Sequence, residues 1–287
     1  MRAERVTESV CYHGEGPVWW PRLPALRLVD LLAGDVLTLQ PDGAIVRTPV
    51  GSPVAAVVRP RHTAGAVVAR ERDIVLFADD HFAELVWQSA AFVPAGQRNN
   101  EGGCDPEGRF HVGTMAYDRT DGAAHLHRLD PGAAADEVQT VRGGLTIANG
   151  LAWSPDGRTA YHADTPTHSV FAIDHDPVMG LGPRRVLARV EDAWPDGLTV
   201  DAEGGIWLAL NGSGRVVRFD PVNADITEEV LVEPRQSTAC TFGGLDLDTL
   251  YVTTSRENLP DDADPAAGSV YAVVPGVRGL PPLEFGG

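Results

Sequence analysis

Oxygen-donor side chains recur at one point of a repeating segment of this chain. Asn100, Asn149 and Asp196 each stand eight positions before a glycine (108 − 100, 157 − 149, 204 − 196). Their segments read Asn100-Glu101-Gly102, Asn149-Gly150-Leu151 and Asp196-Gly197-Leu198, and Glu15-Gly16-Pro17-Val18-Trp19 opens a fourth, looser copy. Glu15, Asn149 and Asp196 together offer two carboxylates and one amide oxygen. Two negative charges neutralise a divalent cation. An all-oxygen set suits Ca²⁺, Mg²⁺ or Mn²⁺, while Zn²⁺ and Fe²⁺ also accept carboxylates. Three protein ligands leave room for water and substrate, as catalytic metal centres require. Asn-Gly and Asp-Gly are also common turn formers, and Glu15 alone reads as a surface acid. The shared position in the repeat favours the metal reading.

Arg98 and Asn100 stand two residues apart at one of these points. A guanidinium fork beside an amide suits the hydroxyls of a sugar, although the pair also fits a solvated loop. Asp118 follows the apolar run His111–Met115. It reads either as an acceptor at a channel rim or as an ordinary loop carboxylate. His125 and His127 alternate along one strand face and read as exposed. No H-E-x-x-H, nucleophile-elbow, Walker or dinucleotide motif occurs. Asp261-Asp262-Ala263-Asp264 reads as a solvated acidic loop.

Such donors are far apart in the chain, so the fold must bring them together. Successive lead residues are 49 (149 − 100) and 47 (196 − 149) apart, and the next step of 47 lands on Gly243-Gly244-Leu245. A period near 48 divides 287 residues about six times. Periods of this length with several short strands mark propeller blades. Ile206–Leu210, Val216–Phe219 and Leu250–Thr254 read as short strands, and Asp42-Gly43, Asp121-Gly122 and Asp156-Gly157 as hairpin turns. Trp19, Trp153 and Trp207 fall inside repeats and read as packing residues. The segment Ser52–Ala56 offers no donor, which predicts a chemically silent blade. With no linker in sight, a single all-β, six-bladed β-propeller domain over residues 1–287 is expected. Lead residues at the start of each innermost strand would then meet at the channel mouth.

Composition narrows the partners. Net charge is −17 and charged residues make up 22%. Such a surface repels phosphate backbones, so neither nucleic acid nor an anionic membrane is an expected partner, and no protein partner is implied. Three widely spaced cysteines without a C-x-x-C pair fit reduced thiols in a cytoplasmic protein.

The ordered set Gly14-Glu15-Gly16-Pro17-Val18-Trp19, Arg98-Asn99-Asn100-Glu101-Gly102, Gly113-Thr114-Met115, Asn149-Gly150-Leu151-Ala152-Trp153, Pro195-Asp196-Gly197 and Thr241-Phe242-Gly243-Gly244 resembles the senescence-marker-protein/gluconolactonase/luciferin-regenerating (regucalcin-like) family over almost the whole chain. The resemblance implies a six-bladed propeller with one divalent metal in its channel and, in many members, hydrolysis of sugar lactones. It places Glu15, Asn149 and Asp196 at the metal-ligand positions and Arg98 and Asn100 at sugar-contacting positions. Asp118 falls where lactonase members often carry Glu, and Glu101 stands where Asp is usual. On this reading the cation polarises a lactone carbonyl and Asp196 assists removal of a proton from water. An organophosphate or aryl-ester hydrolase, or a non-catalytic calcium-binding regulator, are the competing expectations.

Overall fold

A computed structural model describes residues 1–260 and 263–287, so the reading of Asp261 and Asp262 lies outside the described residues. Strands form six antiparallel four-stranded sheets arranged as a β-propeller. The innermost strands are Gly14–Trp20, Ala55–Pro60, Gln97–Cys104, Ala148–Trp153, Trp194–Val200 and Ser237–Gly243, taken here as blades 1 to 6. Each touches the next, and that of blade 6 touches that of blade 1, so the ring closes. The outermost strands of blades 1, 2 and 5 (Ile45–Pro49, Leu85–Gln88 and Ile226–Leu231) are largely exposed. Among the described residues, two short 3₁₀ turns, Leu31–Ala33 and Thr165–Thr167, interrupt the β structure.

Local chemistry explains the hairpins. Gly108, Gly157 and Gly204 turn the chain with φ of 78°, 70° and 90°, a region open mainly to glycine. Three residues before the first and third of these, an aspartate closes the turn. Asp105 accepts from the Glu107 and Arg109 amides, and Asp201 from the Glu203 and Gly205 amides. The other oxygen of Asp201 accepts from Trp207 Nε1 at 2.8 Å and from Arg218 Nε at 2.7 Å. This ties the turn to a fully buried indole. Trp207 packs edge-on to Phe242 of the next blade, so the repeat's tryptophan joins blades 5 and 6.

The strand and turn expectations hold: Ile206–Asn211, Arg215–Phe219 and Thr249–Thr254 are strands. The sixth copy is placed differently. Gly243 ends the inner strand of blade 6 instead of beginning it, so Gly243-Gly244-Leu245 lies at the opposite end of the blade from Asp196. Blade length varies with its hairpins, and a fixed step of 47 overshoots. The counterpart of the lead residues in blade 6 is Thr238–Ala239, where that strand's pairing slips.

Blade 6 is completed by the start of the chain. Glu4–Arg5 pairs with Tyr271–Val273 as its outermost strand, and the Met1 carbonyl and Ala3 amide bond Leu231 of blade 5. At the other end, residues 278–286 cross the lower mouth of the channel as a strap. It is bonded to Ala202 and Leu247 on one side and to Pro60 and Gly108 on the other. All three cysteines are free and buried, and burial pushes their thiols up, away from the reactive thiolate. Among the described residues no helix is long and apolar enough to cross a membrane.

Candidate metal centre

Every inner strand carries an irregularity at the same height. The pairing register slips between Glu15 and Val18, Ala55 and Val57, Asn99 and Gly102, Asn149 and Leu151, Pro195 and Leu198, and Ser237 and Cys240. A bulge bends a strand and re-aims a side chain. Here it does so six times around one mouth. Gly16 and Gly150, at φ of 52° and 27°, supply the conformation that two of these bulges need.

The bulges bring Glu15, Arg98, Asn100, Glu101, Asn149 and Asp196 into one buried group. Arg98 Nη1 donates to Asn100 Oδ1 at 2.6 Å, and Asn100 Nδ2 donates to Asn149 Oδ1 at 3.0 Å. Asn149 Nδ2 in turn donates to Thr165 Oγ1 at 2.8 Å, and that hydroxyl donates to the Pro195 carbonyl beside Asp196. The chain of bonds fixes Asn149 with its amide oxygen toward the group. Asp196 is anchored through Oδ2 by Asn211 Nδ2 at 3.0 Å. Its Oδ1 is buried and has no hydrogen-bond partner among the described residues. Glu15 Oε2 accepts from the Gly16 amide at 3.2 Å, and Glu101 Oε2 from the Gly150 amide at 2.6 Å.

Three carboxyl groups thus share one desolvated space. Burial, and then the charges of Asp196 and Glu101, push Glu15 well above the usual carboxylate range. Burial pushes Asp196 up as well, against the Asn211 bond that opposes it, with the Glu101 charge adding to the rise. Burial raises Glu101 to about 7, although the Arg59 charge and the Gly150 amide pull it down. Mutually repelling carboxylates with an unsatisfied oxygen are what a divalent cation relieves. The donors are all oxygen, which fits the hard ions named above.

Asp118 stands apart from this group. It is exposed, and its Oδ1 accepts from the Thr120 amide and hydroxyl at 3.0 and 2.7 Å. Several neighbours were not singled out in the sequence. Asn211, Thr165, His13 and Glu257 reach the mouth only through strand register and loop packing. His13 Nδ1 lies 2.7 Å from Ser255 Oγ, and its Nε2 lies 3.8 Å from Glu15 Oε1. Burial and the Arg98 charge lower its pKa to about 3, so it is neutral. A signal did exist for His13: it precedes Glu15 by two, as Arg98 precedes Asn100.

A second acidic group lies toward the lower face, where Asp105, Glu107 and His175 approach one another. Arg109 fills it. Its Nε donates to Asp105 Oδ2 at 2.5 Å, and its Nη2 donates to Glu107 Oε2 at 2.8 Å and lies 3.1 Å from His175 Nε2. The guanidinium is the cation of that network. His127 is buried, contrary to the exposed reading of the pair, because it packs on Phe92 and on the half-buried His125.

Comparison with known proteins agrees with this architecture. The chain is 36% identical to a 6-deoxy-6-sulfogluconolactonase of Pseudomonas putida over 283 residues, covering 96% of this chain and 95% of that one. It is 32% identical to regucalcin of Sus scrofa over 305 residues, covering 100% and 99%. Among solved structures, a calcium-binding protein, regucalcin, from Agrobacterium tumefaciens superposes with a TM-score of 0.90 at 26% identity, over 99% of this chain and 97% of that one. A luciferin-regenerating enzyme superposes with a TM-score of 0.87 at 27% identity, over 99% and 100%. The family profile described as SMP-30/Gluconolactonase/LRE-like region matches residues 13–256. The chain therefore belongs to the SMP-30/gluconolactonase/LRE-like family.

Proposed function

We propose that this protein is a sugar lactonase, opening a sugar lactone to its aldonic acid with one divalent cation held by Glu15, Asn149 and Asp196. The observation that carries this reading is the unpartnered Oδ1 of Asp196, buried among acidic groups that repel one another. A cation held by these three side chains would supply the positive charge that polarises a lactone carbonyl. The remaining work falls to side chains. Asp196 takes a proton from the attacking water and returns it to the ring oxygen as the ester bond breaks. Asn211 holds the Asp196 carboxylate still while this happens. Arg98 is fixed by its bonds to the Asn99 carbonyl and Asn100 and has further N–H groups for the sugar hydroxyls. Asn100 holds both Arg98 and Asn149, so it links substrate recognition to the metal ligands. Asp118 sits at the surface beyond them and, on turning from Thr120, can accept from a distal hydroxyl.

Names among the relatives, a sulfogluconolactonase foremost, support lactone chemistry. The test is a pH-indicator assay over hexonic and pentonic lactones, with Ca²⁺, Mg²⁺, Mn²⁺, Zn²⁺ and Fe²⁺ in turn and with strong chelator, against spontaneous hydrolysis. Metal-dependent turnover of at least one lactone is expected. Full activity in chelator would remove the cation from the mechanism. Tight metal binding with no lactone opened would favour the calcium-binding regulator, a reading that the Agrobacterium protein's description supports.

A further inference from the structure

Below the acidic group the channel widens into a chamber of about 490 Å³, a volume typical of small-molecule pockets. All six inner strands contribute to its wall, and the strap residues 280–283 lie across its lower side. The chamber reaches solvent beside Pro155 and Asp156, both exposed. Leu151, Trp153, Leu198 and Phe242 make the wall largely apolar. Glu101, bonded to the Gly150 amide, lines its upper end and so borders both the chamber and the acidic group above.

Among the described residues one cationic side chain lines this space. Arg59 comes from blade 2, the blade whose sequence predicts no chemistry. Its Nη1 donates to the Gly16 and Val58 carbonyls at 3.1 and 2.8 Å, and its Nη2 to the Gly102 carbonyl at 2.7 Å. These three bonds clamp the guanidinium between blades 1 and 3. They use three of its five N–H groups and none reaches a carboxylate. Arg59 is partly exposed by area and lines the chamber. The Glu101 carboxyl lines the same chamber and its charge acts on the guanidinium, but among the described residues no hydrogen bond joins the two. An anion entering the chamber would find on Arg59 two N–H groups not used by these bonds, with Thr199 and Thr241 also in the wall.

We propose that this chamber is a second ligand site, distinct from the metal centre, that binds a small organic carboxylate with its charged end on Arg59 and its apolar body against Leu151, Leu198 and Phe242. The site is independent of the lactonase reading: it requires neither the cation nor Asp196.

The probe is benzoate, with benzamide as its neutral counterpart, titrated calorimetrically into the full chain in strong chelator. Benzoate is expected to bind with Kd below about 10 mM and benzamide at least about tenfold more weakly. Arg59→Lys, which keeps the charge and loses the fork, should weaken benzoate by about tenfold or more. Ala152→Phe, which fills the chamber from blade 4, should remove binding while calcium affinity stays unchanged. Asp196→Asn should leave benzoate affinity as it was. A crystal soaked with 4-iodobenzoate should show its iodine peak among Leu151, Leu198 and Phe242. Absence of benzoate binding, equal affinity for benzamide, unchanged affinity in folded Arg59→Lys and Ala152→Phe, or iodine at the upper mouth alone would each overturn the proposal. Calorimetry and the soak use the unaltered protein, so they decide even if a variant fails to fold.

Discussion

Asp196 joins two requirements in one side chain: one oxygen tied down by Asn211, the other bare. Asp196→Asn keeps the shape and the Asn211 contact but loses the charge and the basic site. Lactone turnover should fall about 10²- to 10⁴-fold with little change in melting temperature. Near-normal kcat in that variant would take Asp196 out of the proton transfer. Arg98→Ala removes a buried guanidinium that also orients Asn100, and KM should rise about tenfold or more while kcat changes less. KM unchanged for every lactone opened would end its sugar-binding role. The carboxyl cluster also sets a pH response. Glu15, Glu101 and Asp196 hold protons more tightly when folded than when unfolded. Chelated protein should therefore lose stability as pH rises from the ordinary carboxylate range through about 7. Added Ca²⁺ should restore it, and more so at the alkaline end, because binding displaces those protons. Melting curves with chelator and with Ca²⁺ across this window check both signs; a flat chelated curve would mean the acids are not crowded. At this scale the sequence was legible where a side chain shares the repeat position, as Asn149 and Asp196 do. Thr165 and Asn211 were not legible, because each acts from a neighbouring strand or turn.

The β-bulge is the element that converts a repeat into a site. An unbroken strand alternates its side chains between faces, and the slip at each lead residue breaks that alternation near the axis. Gly150 shows how tightly this is built. A Cβ there would come within 2.7 Å of the Asp196 carbonyl and of Leu198 Cγ, at a φ of 27° that side chains avoid. Gly150→Val should destabilise the fold by about 1–3 kcal/mol and weaken calcium binding, because it displaces both Asn149 and the Glu101 anchor. Calcium affinity equal to that of the parent, measured on folded variant, would show that the bulge does not set the ligand geometry. Strands and turns were readable from apolar runs and Asp-Gly pairs, since these are local preferences. The position of the sixth copy was not: hairpin lengths differ between blades, and only strand pairing locates Thr238 opposite its counterparts. The bulges were foreshadowed by Gly16 and Gly150, but blade 2 makes its own at Ala55-Ala56-Val57 without any glycine.

At the scale of the whole molecule, the ring holds because Glu4–Arg5 completes a sheet whose other three strands come from the far end of the chain. Deleting residues 1–6 would bare the edge of Tyr271–Val273 and cut the bonds to Leu231. The melting temperature should fall by about 5 °C or more, and the exposed edge should favour association. An unchanged melting temperature and a monodisperse product would show that five complete blades and a three-stranded sixth suffice. Nothing local announced this role, since Glu4-Arg5 is too short and too polar to read as a strand; pairing across more than 260 positions supplies it. The arrangement has a consequence for biosynthesis. Glu4 and Arg5 leave the ribosome long before the strand they pair with has been made. They must stay unpaired while some 260 residues follow, so the circle can lock only once Tyr271–Val273 has emerged.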